Sequence, residues 1–413
     1  MKIIIHRGNS EIGASCLEIQ SERGARVLID AGAELDGAKA EIPPDIGSID
    51  AAFISHAHPD HFGLAGAIPK NVPIYCGEIA GKIIQTAGAF GSKFGAGGFE
   101  FIPFKNGVEI RIKDICITPI LTDHSVPDSY ACLVQADDKK VLYTGDFRLT
   151  GRKQGAAKRL IKTVATPDAL IVEGTRVEGR GEGAETEAQV EKKIADTIKA
   201  HEVLPAFAIC SGINVDRIVS IYKACKKCGR VFVCDIYTAL ILWQMGKLGA
   251  KVPQMTWSDV RVLSRGEIFA RHRKLLEKSM DILGVRDFRS LVYSRGIGIT
   301  LEEIAAAPGK FLIKTNQIEA VMKECRMKRA NIIYSMWSGY MDKKFDPLGR
   351  YQALEAGNVF SKIHASGHIG REELFDFIDA LSPKKLVPFH TNAPEKFKEK
   401  YPRAITCAGD ICV

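Results

Sequence analysis

Short apolar runs bounded by glycine, proline or polar residues fill the first 175 positions of the chain. Their length and β-branched content, for example at 26–30, 115–120 and 141–144, predict buried strands. From 187 to 340, helical patterns alternate with short apolar runs, which predicts a parallel sheet flanked by helices. A strand-rich style returns after about 345. The pattern therefore predicts an α/β protein whose core is residues 1–180 and 346–413, with a second α/β domain inserted at 181–345.

Composition excludes several classes of protein. The 413 residues are 46% hydrophobic and 26% charged, which is ordinary for a globular chain and excludes disordered, collagen-like and coiled-coil classes. No apolar run approaches the roughly 20 residues that span a bilayer. The short apolar start predicts a first strand rather than a signal peptide. These features predict a cytoplasmic protein without membrane contact.

The cysteines agree with a reducing compartment. There are eleven, an odd number, scattered along the whole chain without a compact framework. The single close pair is Cys225 and Cys228, and neither a second pair nor a Cys/His pair lies beside it. Buried thiols are therefore favoured there over a zinc site.

Positive charge is concentrated in the middle of the chain. The formal net charge is +8; residues 181–340 hold 25 Lys and Arg against 17 Asp and Glu, whereas the remainder holds 32 of each. A basic segment beside a neutral one predicts a face that binds a polyanion. Solvated helix faces account for the same composition equally well, so charge alone leaves both interpretations open.

The densest group of metal-binding residue types follows the apolar segment 52–54. His56, His58, Asp60 and His61 fall within six positions, where a loop after a strand can direct several side chains at one point. Imidazole and carboxylate ligands suit zinc, and manganese is a second candidate. Spacing alone indicates that His56 and His58 bind one cation, with Asp60 and His61 reaching a second.

Other ligand-type residues also follow predicted strands. His124 comes after the run at 115–120, Asp146 after the run at 141–144, and His390 after an apolar run near the end of the chain. A carboxylate such as Asp146 can bridge two metal ions. Seven of the ten histidines have such a position: His56, His58, His61, His124, His364, His368 and His390.

These motifs resemble those of a known family. The residues His56-x-His58-x-Asp60-His61 match the HxHxDH signature of the metallo-β-lactamase superfamily, and three further motifs are matched by Asp30, His124 and Asp146. The chain is also similar to the β-CASP nuclease branch, through Glu173, His368 and His390 at motifs A, B and C. Within that branch, it most resembles ribonuclease J. The seven motifs occur in the family's order and span almost the whole chain.

The resemblance implies an αββα sandwich with an inserted β-CASP domain, two divalent cations and a defined set of ligands. The first cation would bind His56, His58 and His124; the second would bind Asp60, His61 and His390; Asp146 would bridge them. Asp30 would orient the ligand loop. Asp60, His368 and Glu173 are the implied catalytic residues, with His368 on the scissile phosphate and Glu173 steadying it. The implied substrate contacts are His364, Ser366, Ser211, Asn214 and Arg217.

The resemblance implies hydrolysis of RNA phosphodiester bonds, exonucleolytic, endonucleolytic or both, leaving a 5′-phosphate. Histidine at motif C, His390, is typical of the branch members that act on RNA. A DNA nuclease of the same fold is the nearest alternative, and a small-molecule metallohydrolase is another. The expected partner is RNA, preferably single-stranded, and a homodimer remains open.

Overall fold

The computed structural model divides the chain into two units. It describes residues 1–35, 46–92, 94, 100–179, 185–406 and 409–413. One unit is Met1–Ala184 with Gly367–Val413, and the other is Glu185–Ser366. The boundary predicted between 180 and 181 lies outside the described residues. The second boundary follows Ser366, about twenty residues later than the predicted position at 345 and 346.

The later boundary has a simple cause. Residues 359–362 form a strand that pairs in parallel with the strand 331–334 of the inserted unit, so they extend its sheet. A short apolar run looks the same in sequence whether it joins one sheet or the other. Only pairing assigns this strand.

The first unit contains two sheets. Sheet A has the strand order β20-β1-β2-β3-β4-β5-β6 and sheet B the order β19-β11-β10-β9-β8-β7. The strands of sheet A are β1 Lys2–Arg7, β2 Cys16–Gln20, β3 Arg26–Ile29, β4 Ala51–Ile54, β5 Ile74–Gly77, β6 Ile102–Phe104 and β20 Gly409–Cys412. Those of sheet B are β7 Ile110–Ile112, β8 Ile115–Leu121, β9 Tyr130–Ala136, β10 Lys139–Tyr143, β11 Ala169–Glu173 and β19 Lys385–Phe389.

Alternation along the strands builds an αββα sandwich. Val141 and Tyr143 of β10 pack into the core shared by the two sheets, whereas Leu142 between them packs on the opposite face. That opposite face is covered by helices, through residues such as Leu160 and Phe377. Helix α2 contacts β5 and β6 of sheet A. The helices are α1 Pro59–Phe62, α2 Glu78–Ala89, α3 Gly155–Val164 and α12 Arg371–Leu381.

The inserted unit is a seven-stranded, wholly parallel sheet with helices. Its strand order is β15-β14-β13-β16-β12-β17-β18. The strands are β12 Ala206–Ile209, β13 Val231–Asp235, β14 Val260–Leu263, β15 Gly298–Ile299, β16 Phe311–Lys314, β17 Asn331–Tyr334 and β18 Val359–Lys362. The helices are α4 Glu187–Ala200, α5 Val215–Lys227, α6 Ile236–Lys247, α7 Ala270–Leu283, α8 Arg286–Val292, α9 Leu301–Ala306, α10 Ile318–Glu324 and α11 Arg350–Gly357.

A buried ion pair lies at the carboxyl edge of this sheet. The Lys314 Nζ atom donates to Asp235 Oδ2 at 2.9 Å and to Thr238 Oγ1 at 2.8 Å. Burial alone would raise the pKa of Asp235, but the charge of Lys314 and the Thr238 backbone N–H together lower it. Asp235 therefore stabilises the fold above its unfolded-state pKa, about 3.9, and this stabilisation is lost as the pH falls through the lower folded-state value.

We expect Asp235→Asn to lower the free energy of unfolding at neutral pH by about 3–5 kcal/mol, because it leaves the Lys314 charge buried without its partner. The difference from wild type should shrink as the pH falls below about 4. Urea unfolding at stepped pH measures it. Asp281→Asn, which removes an exposed ion pair with Arg286, is the matched control. A deficit as large at acidic as at neutral pH would contradict this assignment.

The structure also bears on the predictions about membrane spans and about the pair Cys225 and Cys228. Among the helices of the described residues, none has both the length and the apolar character that crossing a membrane requires. The Cys225 thiol donates to the Arg230 carbonyl oxygen and the Cys228 thiol to that of Ala195. Within the described residues, neither thiol belongs to a group of potential metal ligands.

Candidate metal centre

Four strands of sheet B deliver their carboxyl ends to one edge. Strands β10, β11 and β19 are mutually parallel, and β8 has the same direction because both β8 and β10 are antiparallel to β9. His124, Asp146 and His390 lie just beyond β8, β10 and β19, and Glu173 is the last residue of β11. Residues 22 to 266 positions apart in the sequence thus arrive at one place.

Sheet A contributes the loop after β4. Asp30, just after β3, accepts hydrogen bonds from the Ser55 backbone N–H at 2.7 Å and from the Ser55 hydroxyl at 2.8 Å. Asp30 has a left-handed backbone, with φ of 60°, and so does His390, with φ of 49°. Such conformations are uncommon outside glycine and concentrate at functional sites. Asp30 therefore fixes the start of the segment that carries His56 and His61.

One group of potential ligands is formed by His56, His58, His124 and Asp146. The His58 Nδ1 atom lies 3.1 Å from both His56 Nε2 and His124 Nε2. The Asp146 Oδ2 atom lies 3.7 Å from His56 Nε2 and 3.9 Å from His124 Nε2. All four side chains are buried or half-buried. This is the set that the sequence assigned to the first cation, together with the bridging carboxylate.

A second group lies beside it and contains Asp60, His61 and His390. The His390 Nε2 atom is 3.1 Å from Asp60 Oδ2, and His61 Nε2 is 3.9 Å from the same oxygen. Asp146 Oδ2 is 3.3 Å from His61 Nε2. Asp146 thus faces both groups, as a bridging ligand must.

In two of these histidines, a hydrogen bond to the outer ring nitrogen, Nδ1, determines that the inner nitrogen, Nε2, carries the lone pair. A carbonyl oxygen only accepts, so His124 donates its Nδ1–H to the Gly367 carbonyl oxygen, 2.6 Å away. His61 Nδ1 is 2.7 Å from the Asp30 carboxylate. In the neutral form of each ring, which is the form that binds a cation, Nε2 then presents a lone pair toward the Asp146 carboxylate. Metal-ligating histidines have this arrangement, with the outer nitrogen bound to a carboxylate or carbonyl.

The ligand atoms that face the centre suit a cation for a second reason. His61 Nε2 and Asp146 Oδ1 are buried and have no hydrogen-bond partner among the described residues. Burial alone would lower the pKa of His61, but the carboxylates of Asp146 and Asp30 raise it well above its ordinary value. Clustered lone pairs and carboxylates therefore favour positive charge at this position. The residues present suit two divalent cations.

Electrostatics keep most of the ligands in the state that binds a metal ion. Burial lowers the pKa of His58 to about 4 and those of His56 and His124 well below their ordinary value. Burial alone would raise the pKa of Asp146, but the charges of His390, His61 and His368 outweigh this effect and hold the pKa well below its ordinary value. Neutral imidazoles and ionised carboxylates are the forms that bind metal ions.

His368 belongs to a third group of potential ligands, with Asp146, Glu173 and His390, but its setting differs from that of the other histidines. Its Nδ1 atom lies 3.0 Å from Glu173 Oε2, and Glu173 is itself held by the Phe147 backbone N–H at 2.8 Å. Burial alone would lower the pKa of His368, but Glu173 and Asp146 raise it to about 9. The side chain is 23% exposed, unlike the fully buried Glu173. His368 therefore remains protonated at neutral pH and reachable from solvent.

The five predicted substrate contacts all lie in the inserted unit. Ser211 is exposed, whereas Asn214, His364 and Ser366 are half-buried. The Asn214 side chain accepts a hydrogen bond from the Arg217 backbone N–H and thereby caps helix α5. Both His364 and Ser366 follow strand β18.

Arg217 does not have the setting of a substrate contact. Its side chain is fully buried and pairs with Glu187 at 3.0 Å. It also donates to the Ser335 and Ala365 carbonyl oxygens and to His364 Nδ1, at 2.9, 3.0 and 3.2 Å. With no exposed surface, Arg217 joins these partners inside the inserted unit of this structure, and its contact with substrate stays a prediction. The sequence did not predict that Arg217 is buried, because arginine side chains are seldom fully buried.

Several supporting residues escaped the sequence analysis. Tyr143 donates its hydroxyl hydrogen to Asp30 Oδ2 at 2.7 Å, and Thr175 Oγ1 lies 2.9 Å from His390 Nδ1. Ser55 Oγ lies 3.0 Å from His56 Nδ1. A hydroxyl residue next to a ligand, such as Ser55, is a weak sequence signal. Tyr143 and Thr175 lie far from their partners in sequence and could only be found from the fold.

We expect Asp30→Asn to weaken divalent-metal affinity by about 10–100-fold, because it removes the charged partner of His61 Nδ1. Tyr143→Phe, which removes one hydrogen bond to Asp30 and keeps the carboxylate, is the matched control and should have a smaller effect. Zinc titration of the metal-free protein against a competing chelator measures both. Equal affinity of Asp30→Asn and wild type would show that Asp30 does not orient His61.

Comparison with known proteins agrees with this architecture. The family model described as "Beta-lactamase superfamily domain" matches residues 25–207. An "RNase J-like protein" of Methanocaldococcus jannaschii is 28% identical over 56% of this chain and 57% of its own length. The first unit thus matches the metallo-β-lactamase superfamily, and the chain is ribonuclease J-like along most of its length. The αββα sandwich and the ordered motifs agree with this likeness.

Other relatives match over more of the chain. A "Probable RNase MJ4" of the same archaeon is 25% identical, and the match covers 94% of this chain and 93% of that protein. "Ribonuclease J 1" of Streptococcus pyogenes is 22% identical over 93% of this chain and 67% of its own length. A crystal structure of a protein of unknown function from Enterococcus faecalis superposes with a TM-score of 0.78 at 20% identity, covering 100% of this chain and 99% of that one. This last likeness concerns the fold alone.

Proposed function

We propose that the protein is a metal-dependent ribonuclease that hydrolyses phosphodiester bonds of RNA and leaves 5′-phosphate ends. One observation carries the proposal: two groups of imidazole and carboxylate ligands adjoin at Asp146, which belongs to the first group and lies 3.3 Å from His61 Nε2 of the second. Relatives named as ribonucleases match along nearly the whole chain, which supports RNA as the substrate class.

The ligands suit a pair of divalent cations, with zinc preferred and manganese as the alternative. Five imidazoles and two carboxylates form the donor set: His56, His58, His61, His124, His390, Asp60 and Asp146. A nitrogen-rich set of this kind favours zinc over magnesium or calcium. When bound, paired cations lower the pKa of water and stabilise negative charge on phosphoryl oxygens.

The protein's own residues supply the proton and the orientation. His368 contacts Glu173 through Nδ1, and its protonated ring carries a second N–H at Nε2. We assign it to the phosphoryl oxygens of the scissile bond or to the leaving 3′-oxygen. Glu173 holds the ring and favours its charge. This proton source explains why the site can expel a poor leaving group.

A single comparison separates RNA from DNA as substrate. Purified protein is incubated with single-stranded RNA and single-stranded DNA of the same sequence, each with and without chelator. We expect RNA cleavage that chelator abolishes and that added zinc or manganese restores. Preferential cleavage of DNA would favour the DNA nuclease of the same fold, and hydrolysis of neither would contradict the proposal.

The termini of the products refine the mode of attack. RNA with 5′-triphosphate, 5′-monophosphate or 5′-hydroxyl ends is digested, and the products are mapped. Release of mononucleotides from one end indicates exonucleolytic action, whereas internal fragments indicate endonucleolytic action. In both modes we expect 5′-phosphate on the downstream product. A 3′-phosphate product would contradict the assignment of the leaving oxygen.

A further inference from the structure

An exposed aromatic cluster follows strand β17 in the inserted unit. Trp337, Tyr340 and Phe345 are 53%, 39% and 36% exposed. Their rings contact one another, with centroids 5.4 Å apart for Trp337 and Tyr340, 5.5 Å for Tyr340 and Phe345, and 6.3 Å for Trp337 and Phe345. Large contiguous apolar patches are rare on soluble proteins and mark binding sites. We call these three rings the aromatic platform.

The backbone under the platform is tied down. The Tyr334 hydroxyl donates to the Trp337 carbonyl oxygen at 3.1 Å, and the Gln352 amide donates to that of Met341 at 2.6 Å. The Asp346 carboxylate accepts from the Tyr351 backbone N–H at 2.9 Å. A side-chain methyl at Gly339 would collide with the Trp337 indole ring. The rings therefore lie on a fixed loop, which lowers the entropy cost of binding.

Charge around the platform selects the kind of ligand. Lys343 and Lys344 are exposed within the same loop, and Lys344 Nζ lies 5.6 Å from the centre of the Phe345 ring. Residues 185–366 contain 29 Lys and Arg against 19 Asp and Glu, a net charge of +10, whereas the rest of the chain carries −2. A polyanion is attracted to such a unit, and a second copy of it is repelled.

The platform also lies near the predicted phosphate contacts of its own unit. Ser335, two residues before Trp337, donates its hydroxyl hydrogen to the Ile363 carbonyl oxygen at 2.5 Å. Strands β17 and β18 are parallel neighbours, so the loops after them leave from the same edge of the sheet. His364 and Ser366 lie in the second of these loops. A strand of RNA bound to this loop through its phosphates could place its bases on the rings of the aromatic platform.

We propose that the aromatic platform binds single-stranded RNA by stacking unpaired bases on Trp337, Tyr340 and Phe345, with Lys343 and Lys344 neutralising the adjoining phosphates. The proposal rests on the proposed function, since it takes RNA as the substrate. Stacking on aromatic rings between cationic side chains is the common way of holding single strands without reading their sequence. Duplex RNA keeps its bases stacked inside and has no free face to offer, so the platform selects single strands.

The test compares two exposed tryptophans of the same unit. Trp337→Ala removes the most exposed ring of the platform, and Trp257→Ala removes a ring that is 40% exposed elsewhere in the unit. Metal-loaded protein is titrated into a labelled, hydrolysis-resistant phosphorothioate RNA of about 12 nucleotides, and fluorescence anisotropy gives the Kd. We expect Trp337→Ala to raise the Kd by about tenfold and Trp257→Ala to leave it unchanged.

Two further measurements distinguish base stacking from electrostatic attraction as the source of affinity. Inorganic polyphosphate has the charge of RNA without its bases, so we expect Trp337→Ala to bind it as wild type does. The double variant of Lys343 and Lys344 to alanine should weaken binding of both polyanions. Equal losses of RNA and polyphosphate affinity in Trp337→Ala would overturn the stacking proposal.

The remaining outcomes identify which claim has failed. If wild type cleaves RNA with added metal but Trp337→Ala and Trp257→Ala have the same Kd, the platform proposal is overturned and the proposed function stands. If wild type neither binds nor cleaves RNA, both fall. If Trp337→Ala instead converts a dimer to a monomer in sedimentation velocity and leaves the RNA Kd unchanged, the platform is a contact between copies of the chain.

Discussion

We expect His58→Ala and Asp60→Ala each to reduce RNA cleavage by about a thousandfold or more and to leave the fold intact. The two residues belong to different ligand groups, and each removes one donor from a centre whose charge stabilisation is worth several kcal/mol. His58 and Asp60 are partly exposed and end no strand of the core, so their loss should cost little folding energy. Initial rates at saturating zinc or manganese measure the effect.

His201→Ala is the matched control for these variants. His201 lies in the inserted unit just after helix α4 and belongs to no ligand group among the described residues. It should retain wild-type cleavage. Circular dichroism and thermal unfolding establish that all three variants are folded. Full activity in both His58→Ala and Asp60→Ala would contradict the assignment of the metal centre.

We expect His368→Ala to lower turnover by about 10²–10⁴-fold while the metal content changes much less. The reason is geometric: His368 Nδ1 contacts Glu173, and the His368 side chain is 23% exposed. Four of the ligand histidines are instead buried: His56, His61, His124 and His390. Single-turnover cleavage and metal analysis are performed on the same preparation. A loss of metal as large as the loss of turnover would show that His368 is a ligand instead.

Glu173→Gln tests whether Glu173 acts on His368 by orienting the ring or by favouring its protonated form. The amide oxygen can still accept from the Phe147 N–H, but it no longer favours a charged imidazole. Turnover at neutral pH should therefore fall, and the variant's activity should recover toward lower pH, where His368 is protonated again. An unchanged pH profile would indicate that Glu173 supports the fold alone.

The parts of the centre that are local in sequence could be predicted from the sequence. His56, His58, Asp60 and His61 fall within six positions after a strand, so their convergence needs only one loop. His390 is 330 positions from Asp60, yet their side chains meet at 3.1 Å. Position after a strand suggested His390 as a ligand, but only the resemblance assigned it to the second group.

Features that depend on pairing or burial could not be predicted. The return to the first unit follows Ser366 because β18 joins the inserted sheet, and no local pattern distinguishes that strand from one of the sandwich. Arg217 was expected to contact substrate because it lies in a segment similar to a phosphate-binding loop. Its partner Glu187 lies thirty positions away, and their burial together could only be seen in the fold.

The measurement that bears most directly on the central claim is anomalous X-ray diffraction from crystals of the zinc-loaded protein. We expect two neighbouring peaks, one enclosed by His56, His58 and His124 and the other by Asp60, His61 and His390, with Asp146 between them. A single peak, or peaks at other positions of the chain, would contradict a two-cation centre.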